Sequence, residues 1–546
     1  MRLVDRRIGL LFGVFLVGLF LIALRAWWLD TVQAGSLRSK ALSQQTENLT
    51  LPAKRGTIFD RSGRALAISE DSSTIYADPL MIKDPSAVAA KLAPVVRMPV
   101  NELLAKLSDR TKGFVYLKRK LDLSVGAQVK KLNLAGVGTL IEPRRKYPQN
   151  YLASQVLGTV GTDNYGLSGL ESRFDKQLHG TDGKERLVKD ALGKPVSLEV
   201  TKQPVQGSDI RLTLDSNLQE RVEAVLSGVG EQYTPKGATA LVMDPRDGSI
   251  LALANWPRVN ANHPGRAPAY AQQNRAVTNS YEPGSTFKAF TVAGALQQGL
   301  ITSNTTFYLP PVLEVADRKI SDAEERGAET LSVRDILKRS SNVGAVKIGQ
   351  RLGATAFDKW VRAFGFAKPT GVDLPGESPG IVLHVNQYSG SSMGNLPIGQ
   401  GEAVTPMQMA AAYSAIANGG MLVRPHVVQG DPAPTRRVIT ARTSWAVSRM
   451  LEGVLAPGGT GSEAVVPGYE LAGKTGTAQK PDKNGGYSKN RFVASFVGYA
   501  PARNARLLVA VMVDEPKGDI YGGSVAAPAF QKIVSFALPY LGIPPN

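Results

Sequence analysis

Seventeen residues from Ile8 to Leu24, IGLLFGVFLVGLFLIAL, contain no charge. That length is at the lower limit for crossing the hydrocarbon core of a bilayer as a helix. Arg25 can snorkel, and Trp27 and Trp28 supply an interfacial belt that lengthens the usable span. Arg2, Arg6 and Arg7 precede the run and outnumber Asp5, so the positive-inside rule puts residues 1–7 in the cytoplasm. The sequence therefore predicts a single-pass anchor over 8–28 in the plasma membrane, with everything after Asp30 on the outer side. Two readings compete with it: a cleaved signal peptide ending at Val32-Gln33-Ala34, and a buried core helix. The run is longer than a usual signal core, and its Arg-flanked, Trp-ended design disfavours burial.

The 546 residues are too many for one hydrophobic core, so two or three folded units are expected. There is no cysteine, which excludes disulfides, thiolate metal sites and a cysteine nucleophile. The four histidines, His179, His263, His384 and His426, have no ligand-like spacing, which disfavours a histidine-built zinc site, and nothing else in the sequence points to a metal or organic cofactor. A formal charge of +18 favours anionic surroundings. No helix-turn-helix, RRM or finger pattern is present to direct that charge at nucleic acid.

Residues 29–205 are rich in short β-prone stretches and turn signals such as Leu192-Gly193-Lys194-Pro195. They predict an extended, non-compact region with short helices over 86–95 and 101–107. From 206 onward the pattern changes. Ala238–Asp244 and Ser249–Asn255 are apolar runs joined by Pro245-Arg246-Asp247-Gly248, a hairpin signal. Glu470–Gln479, Arg491–Tyr499 and Arg506–Val513 read as further strands. Thr405-Pro406-Met407-Gln408 supplies an N-cap, a first-turn proline and a capping-box glutamine for a helix that stops at Asn418. A last helix is expected from Ala526 to about Leu538, ending before Pro539. A sheet built from both ends of residues 206–546, with helices inserted between, is an α+β plan.

Three short motifs lie in this second region. In Glu282-Pro283-Gly284-Ser285-Thr286-Phe287-Lys288, the Pro-Gly pair ends one segment. Phe287, Phe290, Ala293 and Leu296 then keep helical spacing as far as Gly299. Ser285 falls in the first turn and Lys288 on the same face, where a lysine of lowered pKa can act as the serine's base. Taken alone the motif is a weak signal, and an N-cap serine beside a solvated lysine is the commoner reading of it. Ser340-Ser341-Asn342 sits between two amphipathic stretches, so a turn there can point a hydroxyl and an amide into a cleft, although such a tripeptide is ordinary loop chemistry. In Lys474-Thr475-Gly476-Thr477 strand alternation puts Lys474 and Gly476 on one face and both threonines on the other. A solvated strand end is its bland alternative. The order Ser-x-x-Lys, Ser-x-Asn, Lys-Thr-Gly, with separations of 55 and then 134 residues, is what gives the set its specificity.

With these motifs the chain resembles the class B penicillin-binding proteins, and in particular the FtsI-like division D,D-transpeptidases. Arg55-Gly56-Thr57-Ile58-Phe59-Asp60-Arg61-Ser62-Gly63 and Gly169-Leu170-Glu171-Ser172-Arg173-Phe174-Asp175 look like signatures of the family's non-catalytic pedestal. Leu212-Thr213-Leu214-Asp215 and Tyr521-Gly522-Gly523 look like catalytic-domain ones. The resemblance implies an anchor helix, a β-rich pedestal over 29–205 and a penicillin-binding transpeptidase fold over 206–546. It implies that Ser285 is acylated by a peptidoglycan stem peptide and trapped by β-lactams, and that Lys288 takes the serine proton. Ser340 would pass a proton to the leaving amine, Asn342 would bind substrate or support Lys288, and Lys474 would add positive potential. Thr475 and Thr477, flanking Gly476, would bind carboxylate, and the backbone N–H groups of Ser285 and Thr477 would form the oxyanion hole. It also implies a membrane-embedded SEDS-family glycosyltransferase as partner. Gly399-Gln400-Gly401-Glu402 departs from the septal pattern toward elongation-type relatives, whereas Ser340-Ser341-Asn342-Val343-Gly344 reads as division type, so the side-wall alternative stays open. A D,D-carboxypeptidase, which would use water as acceptor, also stays open. A β-lactamase would need a deacylating glutamate, for which the sequence offers no convincing counterpart. A sensor would need an intracellular output region, whereas only about seven residues precede the span, and a scaffold would not require Ser285 and Lys288 together.

Overall fold

The computed structural model describes residues 2–33, 35, 46–189, 195–430, 434–482 and 485–545. Ala34 of the alternative cleavage site and Leu192, Gly193 and Lys194 of the expected turn lie outside the described residues. Helix α1 spans Arg2–Thr31. Its portion Arg6–Thr31 is long and apolar enough to cross a membrane and is not buried against any of the described residues, as a single-pass anchor requires.

The rest of the chain forms two units. One comprises residues 1–54, 72–143 and 180–207; the other comprises 55–71, 144–179 and 208–546. In the first, helices α2 (Pro85–Val96) and α3 (Val100–Leu107) lie where the sequence places them. The expectation that this region is non-compact is corrected. Leu92, Val96, Leu103 and Leu107 from the two helices and Ile75 and Leu117 from neighbouring strands bury one another in a separate core. Each segment is too short to announce a core alone; the helices supply the apolar faces the strands need.

The second unit is built on five antiparallel strands: β1 (Gly237–Met243), β2 (Ile250–Trp256), β3 (Ala472–Pro481), β4 (Tyr487–Ala500) and β5 (Leu507–Asp514). Their order is β2-β1-β5-β4-β3, with β3 at one edge. Every residue of β1 and β5 is buried, so helices cover both faces of the sheet centre. Helix α4 (Ser216–Tyr233) packs on β1 and β2 and against the last helix, which itself lies on β4 and β5. Helices α5 (Lys288–Gln297), α6 (Val333–Lys338) and α7 (Asn342–Leu352) form a cluster with α8 (Pro406–Ala417) and α9 (Ala441–Leu455). The capping box at α8 is formed as expected. Gln408 N–H donates to Thr405 Oγ1 at 3.1 Å, and Thr405 N–H donates to Gln408 Oε1 at 2.8 Å.

The last helix, α10, runs Gly522–Tyr540, longer at both ends than expected, and carries Pro528 and Pro539 inside it. Pro528 removes the amide that would have bonded the carbonyl of Ser524. The Tyr233 hydroxyl of α4 donates to that carbonyl at 3.2 Å instead. A tertiary contact thus removes the reason for the helix to start late.

Candidate active site

Ser285 does not lie in an α-helical turn. Gly284–Phe287 is a single 3₁₀ turn that runs directly into α5. Gly284 has φ +54, and its N–H donates to the carbonyl of Gly399 at 2.9 Å. Tyr413 of α8 donates its hydroxyl to the Thr286 carbonyl at 2.7 Å, and Phe287 and Phe290 pack against Phe366. The turn is therefore held from behind by rigid apolar packing, while the Ser285 side chain stays part-exposed.

The facing strand comes in as close as side-chain-free positions permit. A methyl at Gly476 of β3 would lie 2.4 Å from Ser495 Oγ, 2.9 Å from Thr286 Cγ2 and 3.0 Å from the Pro283 carbonyl. A methyl at Gly284 would lie 3.3 Å from the Thr477 carbonyl. Gly476 is what allows the edge strand to lie against the serine turn.

Lys288, one turn past Ser285, has no exposure. Its Nζ donates to the Ser340 carbonyl at 2.5 Å and to Asn342 Oδ1 at 2.7 Å, with Ser340 Oγ at 3.4 Å. Lys474, also fully buried, donates from Nζ to Ser340 Oγ at 2.9 Å and to the Thr475 carbonyl at 3.2 Å. Ser340 sits at φ +60 in the turn between α6 and α7, and that strained backbone aims both its oxygens at the two lysines. Residues of all three sequence motifs are thus joined in one hydrogen-bonded chain. Ser285 Oγ carries no hydrogen bond in it; such contacts commonly close only in the substrate complex.

Burial pulls Lys288 down to about 7, with the Asp322 carboxylate pulling the other way. Burial and then the charge of Lys288 push Lys474 well below the ordinary lysine range. Two ammonium groups sharing one hydroxyl in a dry site repel each other, so the pair gives up a proton readily.

Strand alternation puts Thr477 on the face opposite Lys474, whereas the Lys474 ammonium reaches round and donates to Thr475 Oγ1 at 3.3 Å. Thr475 Oγ1 shares a 2.7 Å hydrogen bond with Thr460 Oγ1, and Thr477 Oγ1 accepts from Gly522 N–H at 3.0 Å. Sequence reasoning missed Asp322 altogether. Its carboxylate accepts from Ser341 Oγ at 2.9 Å and from the N–H groups of Asn342 at 2.5 Å and Val343 at 3.0 Å, and it pairs with Arg326. Burial alone would raise its pKa, but those donors outweigh it and hold Asp322 below the usual carboxylate value. Nothing in the sequence marks it, since it lies twenty residues before Asn342, whose N–H it holds. Thr460 and Glu402 were likewise not picked out as site residues.

A serine at a turn head, a buried lysine of lowered pKa and a second cation across a hydroxyl form a geometry for acyl transfer without histidine or metal. Residues 238–535 match the family model described as the penicillin binding protein transpeptidase domain, and residues 50–212 match that of the penicillin-binding protein dimerisation domain. The chain is 36% identical over 532 residues to the probable peptidoglycan D,D-transpeptidase PenA of Neisseria meningitidis, covering 96% of this chain and 90% of that one. It is 31% identical over 551 residues to the peptidoglycan D,D-transpeptidase FtsI of Escherichia coli, covering 100% and 93%. Among solved structures, penicillin binding protein 3 of Mycobacterium tuberculosis complexed with aztreonam aligns with a TM-score of 0.72 and 29% identity, covering 91% of this chain and 98% of that one.

Proposed function

This chain belongs to the class B penicillin-binding proteins, the serine-type peptidoglycan D,D-transpeptidases, and from that premise we propose that its reaction runs through an acyl-enzyme on Ser285. Lys288 Nζ takes the hydroxyl proton as Oγ attacks the penultimate D-Ala carbonyl of a donor stem peptide. The oxyanion is received by the N–H of Ser285 at the turn head and the N–H of Thr477 on the facing strand. As an edge strand β3 has a ladder partner on one side only, which supports that placement. Ser340 Oγ, between Lys288 and Lys474, hands a proton to the departing D-Ala amine. Asn342 steadies Lys288, Lys474 supplies positive potential, and Thr475 and Thr477 are the carboxylate-binding hydroxyls. An amine of a second stem peptide then attacks the ester and leaves a cross-link.

The observation that carries this reading is the chain Lys288–Ser340–Lys474, which gathers all three motifs at hydrogen-bond distance. The experiment is mass spectrometry of the protein after penicillin exposure. The adduct is expected on Ser285 and absent from Ser285→Ala; a labelled Ser285→Ala protein would remove the mechanism.

The division of labour we assign is residues 29–205 as non-catalytic pedestal and 206–546 as catalytic. The two family matches, 50–212 and 238–535, support that split. α1 is assigned as the anchor, with residues 1–7 cytoplasmic because Arg2, Arg6 and Arg7 flank it. A SEDS-family glycosyltransferase is the partner this family membership implies. The division role is supported by the likeness to FtsI, and a fluorescent fusion concentrating at the septum is its test.

A further inference from the structure

Glu282 and Glu402 take no part in the mechanism above, yet both line a cavity of about 480 Å³ that flanks β3 immediately beyond Thr477, from Ala478 to Pro481. The loop that carries Glu402 touches the nucleophile's own turn, through the hydrogen bond from Gly284 N–H to the Gly399 carbonyl. Glu402 is 2% exposed, and neither of its carboxylate oxygens has a partner among the described residues. Glu282, three residues before Ser285, accepts at Oε1 from Gly401 N–H at 3.1 Å and from the Tyr487 hydroxyl at 3.2 Å, while its Oε2 has no partner.

The cations on the cavity wall are already engaged. Arg275 pairs with Asp514 at 3.4 Å, Lys480 with Asp514 and Glu515 at 2.6 and 2.7 Å, and Lys236 approaches Glu515 at 3.9 Å. A buried carboxyl with neither donor nor counter-ion is costly, and the described residues provide Glu402 with neither. Burial and the neighbouring Glu282 accordingly hold the Glu402 pKa well above the usual carboxylate value, so the pair keeps a proton until a positive group arrives.

The reaction needs such a group. A primary amine has a pKa near ~10.4, so the acceptor arrives from water as an ammonium, and attack requires it to be held beside the acyl ester. The donor end of the reaction carries the carboxylate assigned to Thr475 and Thr477, whereas the cavity beyond Thr477 is lined by Glu282 and Glu402, whose unpaired carboxyl oxygens are buried. We propose that the cavity is the acceptor subsite, in which Glu402 and Glu282 bind the ammonium group of the incoming stem peptide and take up the proton it must lose before its nitrogen attacks the acyl ester. The inference rests on the acyl-transfer reading of Ser285.

The test uses the full chain in detergent with a D-Ala-D-Ala donor peptide and a primary-amine acceptor, following the ratio of amide product to hydrolysis product as acceptor is raised. Both products come from one acyl-enzyme, so the acylation rate cancels. Glu402→Gln is expected to raise the half-saturating acceptor concentration about tenfold or more, the loss of one charge-assisted contact. Superimposable curves, or a fall in hydrolysis alone, would overturn the assignment. A second measurement on the unaltered protein decides if the variant fails to fold. A tertiary amine shaped like the acceptor, which cannot form a stable amide, is expected to compete with it, whereas its neutral alkyl isostere is not. Equal competition would overturn the proposal. Penicillin labelling of Ser285 is read in parallel; its absence from the unaltered protein would overturn the acyl-transfer reading itself.

Discussion

A lysine with no exposure and oxygen partners on two sides is chemically useful only if it can be neutral, and Lys288 is pulled down to about 7 by its burial. Only the neutral amine accepts a proton, so the rate of Ser285 acylation by a fluorescent penicillin should climb as pH rises through about 7 and level off above it. Lys288→Arg keeps the charge and the donors but cannot give up its proton. Its acylation rate should fall by the roughly 10²–10⁴-fold that general-base help provides. Asp322 acts one step back: its charge raises the Lys288 pKa, and its oxygens hold the turn that presents Ser340. In Asp322→Asn the rising limb of the pH profile should move to lower pH, a shift that general loosening of the fold would not give. Because the folded-state pKa of Asp322 is depressed, its contribution to stability is present above the ordinary carboxylate value and is lost as pH falls through the lower folded value.

At the scale of elements, the site is a gap between the edge strand β3 and the 3₁₀ turn, and its width is set by hydrogen atoms. Gly476→Ala inserts a methyl within 3 Å of Ser495 and Thr286, so strand or turn must move. Acylation should drop by about tenfold or more, because near-attack geometry tolerates displacements of well under 1 Å; circular dichroism should show the fold retained. The supporting helices are anchored by local chemistry. Thr405→Ala removes a fully buried N-cap from α8, the helix whose Tyr413 secures the serine turn. It should cost about 1–2 kcal/mol in denaturant unfolding.

At the scale of the whole molecule, the apolar span of α1 within Arg6–Thr31 buries nothing against the described residues. A chain beginning after Gln33 should leave the membrane fraction on cell fractionation and still take up fluorescent penicillin at Ser285. Retention in the membrane would mean that a second surface binds lipid or a membrane partner. The +18 charge is consistent with residence beside anionic lipid and wall polymer, where it raises local encounter without specifying a ligand.

The sequence alone determined what depends on near neighbours along the chain. It settled the apolar span, the hairpin at Pro245–Gly248, the α8 cap at Thr405, the alternation of Lys474 and Gly476 against the two threonines, and the ordered motif set. Each of these is decided within a few residues by periodicity, capping or turn chemistry. What only tertiary structure decided is everything that joins distant segments. That includes the Ser340 turn as the meeting point of two buried lysines, Asp322 as the clamp on that turn, Glu402 buried at a cavity wall with no counter-ion among the described residues, and Tyr233 sparing the carbonyl that Pro528 leaves bare. The physical reason is that burial, and with it the pKa of a lysine or the cost of an unpaired carboxyl, is a property of what surrounds a side chain in space, and the sequence does not reveal those surroundings.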